Sequence, residues 1–404
     1  MCKSSEPKGE NVSDIGEKAR ATFLALIMIT SVIVAGVAFT GSTAADAPPD
    51  SPATDPGNLQ VSLLNESNDA NVTFGVNTTS KTINKTNATD SDVAVGSVNS
   101  DLDNTAKAIQ FAIDNATTEY STVRVGPGIY NSSSDILIDY DGLTLEGPNA
   151  GTSGDEHSED AAEINGQVII GADGAVVDGF TVSPPDPGDG IGEDEAIRVS
   201  NDADDVVVQN NIVEDFARNS GSEFFGVDGI NVFGGNESDA VKNPTVQDNL
   251  VQRLQNNVDG GAAGISVQGN VENPTVERNV IEDIGQEETN FGFGVVVRGT
   301  DNHDVTPTDV SITDNEISNV LSDPSSEFFG VGAGVEASGA DDVSFSGNNI
   351  SNAELLLEDK TATLTLRNFA DNNTLDRGAL VEDVDVDGDS RNIIFNSIQD
   401  AEAA

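Results

Sequence analysis

Two arginines are the side chains of this sequence best placed to do chemistry. Arg198 and Arg298 belong to a short phrase that recurs as Ala196-Ile197-x-Val199, Gly229-Ile230-x-Val232, Gly264-Ile265-x-Val267, Gly294-Val295-x-Val297 and Gly334-Val335. Residues two apart on a strand share a face, so the aliphatic residues face a core and the x positions face out. The outward columns would then be Arg198, Asn231, Ser266, Val296 and Glu336, and two residues on, Ser200, Phe233, Gln268, Arg298 and Ser338. A guanidinium on such a face can hold a sugar carboxylate through paired hydrogen bonds. Strands stack at about 4.8 Å, so arginines three repeats apart could not share one carboxylate. In an acidic chain each serves more simply as a local ion-pair partner.

Other chemistry-bearing residues are few. Asp383-Val-Asp385-Val-Asp387-Gly388-Asp389 resembles the start of a calcium loop of the EF-hand or dockerin type. Ile394 occupies the position of the required bidentate glutamate, and Val384 and Val386 alternate as in a strand, which leaves at most a partial calcium site at Asp383, Asp385, Asp387 and Asp389. His157 and His303 lie in acidic loops and read as solvated, and the paired acids Asp204-Asp205 and Asp341-Asp342 precede equivalent strands and read as turn residues. No other cofactor is implied.

The elements that must position these residues form a repeat. The pattern V/P-x-V/I/F-x-x-N-x-V/I occurs five times, centred on Asn211, Asn249, Asn279, Asn315 and Asn348, with spacings of 38, 30, 36 and 33 residues. A period in the range of about 20–50 residues signals a solenoid. Each phrase is too short to be stable alone, so it must bury its apolar side on the next coil. The double step before each asparagine marks a corner, where asparagine would adopt a left-handed backbone and stack its amide on its neighbours. A sixth copy is expected at Ile393-x-x-Asn396-x-Ile398. The fold class is all-β: a right-handed parallel β-helix with three short strands per coil, spanning 96–404, with an N-terminal capping helix. That helix is read from Leu102, Ala106, Ile109 and Ile113, with Asp101 or Asp103 to cap it.

The chain carries 70 acidic against 18 basic residues, a formal charge of −52. The acids are spread along the patterned strands, as on a surface that stays hydrated in concentrated salt, where the self-repulsion is screened. Nucleic acid is excluded as a partner by charge. Residues 1–45 read as an export signal: Lys18 and Arg20, then uncharged Ala21–Phe39, then small residues with cleavage after Ala45 or Ala44. The apolar run of 19 is barely long enough to span a bilayer, so an uncleaved signal segment is the only membrane attachment the sequence implies. Removing the leader removes Cys2, the one cysteine, and with it any thiol or disulfide chemistry. Residues 46–95 read as a Pro/Asp linker followed by an Asn/Thr-rich arm, glycosylated at the sequons Asn65, Asn71, Asn77, Asn84 and Asn87. Further sequons stand at Asn115, Asn131, Asn236, Asn349 and Asn372, of which Asn349 would be blocked if packed against the ladder.

Two stretches carry resemblances. The leader, from Lys18 to Ala45, is similar to the signal peptides of haloarchaeal S-layer and surface glycoproteins. Ala108-Ile-Gln-Phe-Ala-Ile-Asp-Asn115, Val123-Arg-Val-Gly-Pro-Gly-Ile-Tyr130, Leu143-Thr-Leu-Glu-Gly-Pro-Asn-Ala-Gly151 and Val177-Asp-Gly-Phe-Thr-Val182 resemble the opening coils of the pectin-lyase-like superfamily, and the asparagine phrases its parallel β-helix repeats. That superfamily spans lyases, hydrolases, epimerases, adhesins and non-catalytic surface proteins, so the resemblance implies fold more than function. Its lyases hold calcium with carboxylates beside an Arg or Lys base, its hydrolases use clustered aspartates with Gly-His-Gly and Arg-x-Lys, and its epimerases use Asp-Pro-His; none of these phrases is present. The aromatic hexapeptide Ser222-Glu-Phe-Phe-Gly-Val227 recurs as Ser326-Glu-Phe-Phe-Gly-Val331, either packed over a coil or presented to a carbohydrate or partner. The expected protein is an exported haloarchaeal glycoprotein of the cell surface or medium, with a structural or recognition role toward surface polysaccharide or surface-layer proteins. A polysaccharide lyase or glycoside hydrolase acting on acidic polysaccharide is the alternative, and a calcium-dependent adhesin a weaker one.

Overall fold

The aliphatic pairs of the repeat stack coil on coil into three parallel sheets. The computed structural model describes residues 59–67, 70–77, 80–87, 93–97, 104–158, 160–185, 195–200, 202–218, 226–235, 240–257, 260–285, 291–299, 305–322, 330–335, 342–361, 364–376, 379–386 and 389–396. In the first sheet, Val208, Val246, Val276, Ile312 and Phe345 are in register across successive coils. The second sheet aligns Val213, Val251, Ile281, Ile317 and Ile350. The third aligns Ile197, Ile230, Ile265, Val295, Ala333 and Leu357. All of these side chains are buried, and they form one continuous core. Burying a side chain of this size contributes roughly 1.5–3 kcal/mol relative to leaving it in water.

Corners are made by left-handed residues spaced five apart. Asp205, Asn210 and Asp215 have φ of 65° or less and above 50°, and the same trio returns as Asn243, Asp248 and Arg253, and as Asn273, Arg278 and Asp283. The left-handed residue is therefore the one before each ladder asparagine, not the asparagine itself, which corrects the sequence expectation. Asn211, Asn249, Asn279, Asn315 and Asn348 are instead fully enclosed and stack as foreseen. Each amide nitrogen donates to the next amide oxygen, at 3.1, 3.0, 2.9 and 2.9 Å along the series. The stack ends on Asn373, whose Oδ1 accepts from Asn348 Nδ2 at 2.8 Å. The sixth rung is not Asn396, because the chain reverses: Asp389–Phe395 runs antiparallel to Leu355–Asp359.

The third sheet has its own signature. Gly229, Gly264, Gly294 and Gly332 line the corner between second and third sheets, where the coil is too tight for a side chain. A Cβ on Gly229 would sit 2.6 Å from Val251 Cγ1 and 2.7 Å from the Gly264 carbonyl, and one on Gly264 would sit 2.7 Å from the Gly294 carbonyl. The phrase read as Gly334-Val335 is accordingly Gly332-Ala333-Gly334-Val335, since Val295 pairs with Ala333 and Val297 with Val335. Gly334 therefore stands beside Val296, at the position expected of Glu336.

Both ends of the described solenoid are covered. At the N-terminal end, β1 (Gln60–Asn65) pairs antiparallel with Tyr120–Val125, and β2 (Ala70–Asn77), β3 (Thr82–Asn87) and β4 (Val93–Ser97) extend the first sheet as a meander. The stretch read as an arm is thus folded along these strands, with Val61, Leu63, Phe74 and Ile83 buried. Helix α1 (Lys107–Ile113) packs on it through Ala108, Ile109, Ala112 and Ile113, and Phe111 lies 6.2 Å from Phe74. It is shorter than expected and has no side-chain cap; Asp101 and Asp103 lie outside the described residues. The Tyr130 hydroxyl donates to the carbonyls of Gln60 and Gly126, tying meander to coil. At the C-terminal end, α2 (Leu366–Asn372) sets Phe369 at 5.2 Å from Phe345, and the hairpin Ala379–Val386 with Asp389–Phe395 closes the third sheet. Among the described residues no helix is long and apolar enough to cross a membrane.

Candidate functional site

The outer face of the third sheet gathers the polar groups from which chemistry could be built. At its corner two consecutive residues face the core, Ala196 and Ile197 on one coil and Gly229 and Ile230 on the next. The residues on either side of each pair therefore face out together. Glu195 and Arg198 are brought side by side this way, and so are Asp228 and Asn231. Register then aligns Glu195 with Asp228, and Arg198 with Asn231 and Ser266. The adjacent column aligns Phe233, Gln268 and Arg298.

These side chains interlock. Glu195 accepts from Asn231 Nδ2 at 2.6 Å and from Arg198 Nη1 at 3.2 Å. The Arg198 guanidinium lies over the Phe233 ring, 4.7 Å from its centre. Arg298 donates to Gln268 Oε1 at 3.1 Å and reaches back two coils to Asp228 Oδ2 at 3.4 Å. Three atoms in this network are enclosed and without a partner: Arg198 Nε, Asn231 Oδ1 and Ser266 Oγ. Asn231 and Ser266 are 2% and 0% exposed, so neither is relieved by bulk water.

Further along the same face the chemistry turns apolar. Ser266 is followed in its column by Val296, and Asp228 in its own by Ala263 and Phe293. Phe293, Val296, Val331 and Leu355 join Ile393 and Phe395 of the C-terminal hairpin in a second core. These apolar side chains are themselves buried, Phe293 at 4% and Val296 at 0% exposed, so the polar cluster is flanked by core on this side.

The two arginines foreseen as candidates sit on Glu195–Val199 and Phe291–Arg298, three coils apart. They do not meet each other, yet both reach into this one cluster, and both are ion-paired. Glu195 and Asp228 were not singled out from sequence. Their signal was available: each stands immediately before the Ala or Gly that opens the repeated phrase. Glu336 lies outside the described residues, as do His303 and the Ser222–Phe225 and Ser326–Phe329 parts of the hexapeptides. Val227 and Val331, which close those hexapeptides, are buried at the start of third-sheet strands.

Other expected residues fall elsewhere. Asp383, Asp385 and Asp389 lie on the strands of the C-terminal hairpin, and Asp387 is outside the described residues. No group of three metal-ligating side chains occurs among the described residues. Asn77 is exposed, Asn65 and Asn84 are half-buried on the meander, and Asn71 and Asn87 belong to its strands β2 and β3. Asn349 is exposed rather than packed on the ladder. His157 is not simply solvated: its Nε2 lies 2.7 Å from the Asn210 carbonyl, and burial holds its imidazole below the usual histidine range.

No family model and no curated protein matches the chain. Among solved structures it is similar to the Dettilon tailspike protein gp208, with 12% identity and a TM-score of 0.28, covering 63% of this chain and 59% of that one. It is similar also to PfbA, a surface adhesin of Streptococcus pneumoniae, with 11% identity and a TM-score of 0.24, covering 72% of this chain and 96% of that one. A third likeness is to ORF18 of Geobacillus virus E2, at 8% identity and a TM-score of 0.17, covering 74% and 69%. The chain spans about three fifths of the tailspike's length. At such scores the functional reading has to rest on the geometry of the third sheet.

Proposed function

We propose that this chain is an exported, glycosylated β-helix protein of the cell surface or medium, and that it recognises carbohydrate through the outer face of its third sheet. The observation that carries this reading is the convergence of Glu195, Arg198, Asp228, Asn231, Ser266, Gln268 and Arg298 from four consecutive coils onto one patch. The leader-like residues 1–45, the sequons of the meander and the evenly acidic composition support export into a salty medium. The acidic surface also disfavours acidic macromolecules as partners, except where arginines gather.

Retention of the purified protein on immobilised polysaccharides in concentrated salt tests the reading. Binding to at least one polysaccharide is expected, and Arg298→Ala should weaken it by about tenfold, the usual effect of removing a charged hydrogen-bond donor. Absence of retention on neutral and acidic polysaccharides alike would contradict it.

The register of Glu195 with Asp228 favours one second reading, a glycan-cleaving enzyme, because two carboxylates on neighbouring coils are the equipment of glycoside hydrolysis. Here both are already engaged by arginines, which suits binding better than proton transfer. Chain shortening of a bound polysaccharide that Glu195→Gln abolishes would replace recognition with catalysis.

A further inference from the structure

An open cavity of about 450 Å³ lies at the N-terminal end of the solenoid, between α1, the end of β4 and the turn leading into strand Ile136–Ile138. We propose that this cavity binds a small organic monocarboxylate with an apolar body, its carboxylate paired with Lys107. It shares no residue with the polar cluster of the third sheet, and the inference stands independently of the carbohydrate reading.

Size and access permit a ligand. Small-molecule sites enclose roughly 300–1,000 Å³, and this cavity falls within that range. Lys107, Ser97, Ser134 and Asp135 line it and are exposed, so its mouth opens to solvent. Behind them the lining turns apolar, with the half-buried Phe111 ring and the buried Ala106 and Ile136. A ring or short aliphatic chain gains by leaving water for such a wall.

The walls are held by bonds of their own. Gln110 Oε1 accepts from the Leu137 N–H at 2.9 Å, and its Nε2 donates to the Leu137 carbonyl at 3.1 Å, which fixes α1 to the outermost strand of the third sheet. The Ala106 N–H donates to the Asn131 carbonyl at 3.0 Å, and the Asn131 N–H to Thr105 Oγ1 at 2.8 Å. Gly96 lies against the Phe111 ring so closely that a Cβ there would be 2.7 Å from Cε2. A ligand therefore meets a preformed shape and spends little on ordering it.

Charge then selects the ligand. The chain has 70 acidic residues for 18 basic ones, and its described cations are almost all engaged. Among the described residues, Lys107 and Arg367 are the cations whose side chains have no partner. Of these, Lys107 stands at the cavity. An ammonium only donates, so it calls for an acceptor, and a carboxylate matches its charge as well. Asp135 at the same mouth disfavours a second negative charge, which sets a monocarboxylate above a phosphate dianion. At molar salt the screening length is about 3 Å, so the acidic surface no longer repels an anion at a distance while the contact pair survives.

The test is a ligand-detected NMR titration of the full chain in molar potassium chloride. The probes are benzoate and cyclohexanecarboxylate, set against their neutral amides, benzylamine and acetate. The two carboxylates should bind about tenfold more tightly than the amides, as expected for a hydrogen bond to a charged group, and more tightly than acetate, which lacks the apolar body. Lys107→Gln should bring carboxylate affinity down to that of the amides. Its side chain has no partner in the protein, so the unfolding midpoint should equal the parent's. Arg367→Gln, which removes the other unpartnered cation, should leave affinity unchanged. Equal binding of carboxylates and amides, undiminished affinity in Lys107→Gln, or no binding of any probe overturns the inference, and none of these outcomes bears on carbohydrate retention.

Discussion

Asn279 shows what one side chain does in this fold. Its oxygen accepts from the backbone and the amide of Asn249 at 3.1 and 3.0 Å. Its nitrogen donates to the Val246 carbonyl and to Asn315 Oδ1, both at 2.9 Å. Every hydrogen-bonding position of the amide is filled inside the core, so truncation strands partners on both neighbouring coils. Asn279→Ala should lower unfolding free energy by about 3 kcal/mol in denaturant titration, given that a stranded buried group costs about 1–3 kcal/mol. Asn349→Ala, one residue past a rung and exposed, should stay within about 0.5 kcal/mol of the parent. The ladder was legible because five asparagines recur in one register. Its backbone was not: the residue before the rung takes the left-handed form, and at that position the sequence shows Asn, Asp, Arg, Asp and Gly, which no single propensity unites. Arg278 holds that conformation beside Asp248, to which its Nε donates at 2.9 Å.

At the scale of elements, periodicity in the strands was readable and the terminal closures were not. The three-strand coil follows from apolar residues two apart, because only one face of so short a strand can be buried. The meander β1–β4 looked like an arm because its Asn and Thr mask alternation, although Val61, Leu63, Phe74 and Ile83 keep the period of two. Asn373 escaped because a helix, not a strand, delivers it to the ladder. The glycine phrase was visible as a motif, but its reason is spatial: the Gly264 position has the Gly294 carbonyl 2.7 Å from where a Cβ would be. Gly264→Ala should therefore destabilise by about 1–3 kcal/mol, the usual range for an overpacked core. An equal or raised unfolding midpoint would show that the coils can part at this corner. The candidate site was half legible for the same kind of reason. Its column of Arg198 and Asn231 came from alternation, while Glu195 and Asp228 became outward-facing only because two inward residues sit together at the corner.

For the whole molecule, charge and shape act together. A formal charge of −52 on a solenoid places like charges along every coil, with carboxylates in the local ion pairs of Arg124 with Glu146, Arg253 with Glu214 and Asp215, and Arg278 with Asp248 and Glu277. Screening shortens the reach of the remaining repulsion from about 10 Å at 0.1 M salt to about 3 Å at 1 M. The unfolding temperature should accordingly rise as potassium chloride is raised from tenths molar to molar; a flat or falling curve would show that repulsion does not limit stability. The central claim concerns place: carbohydrate meets this protein on the outer face of the third sheet. Carboxyl footprinting with and without a retained polysaccharide tests it most directly. Glu195, half-buried on that face, should lose reactivity when the ligand is bound, while Glu316 on the second sheet keeps its own. Protection at Glu316 with none at Glu195 would contradict the account.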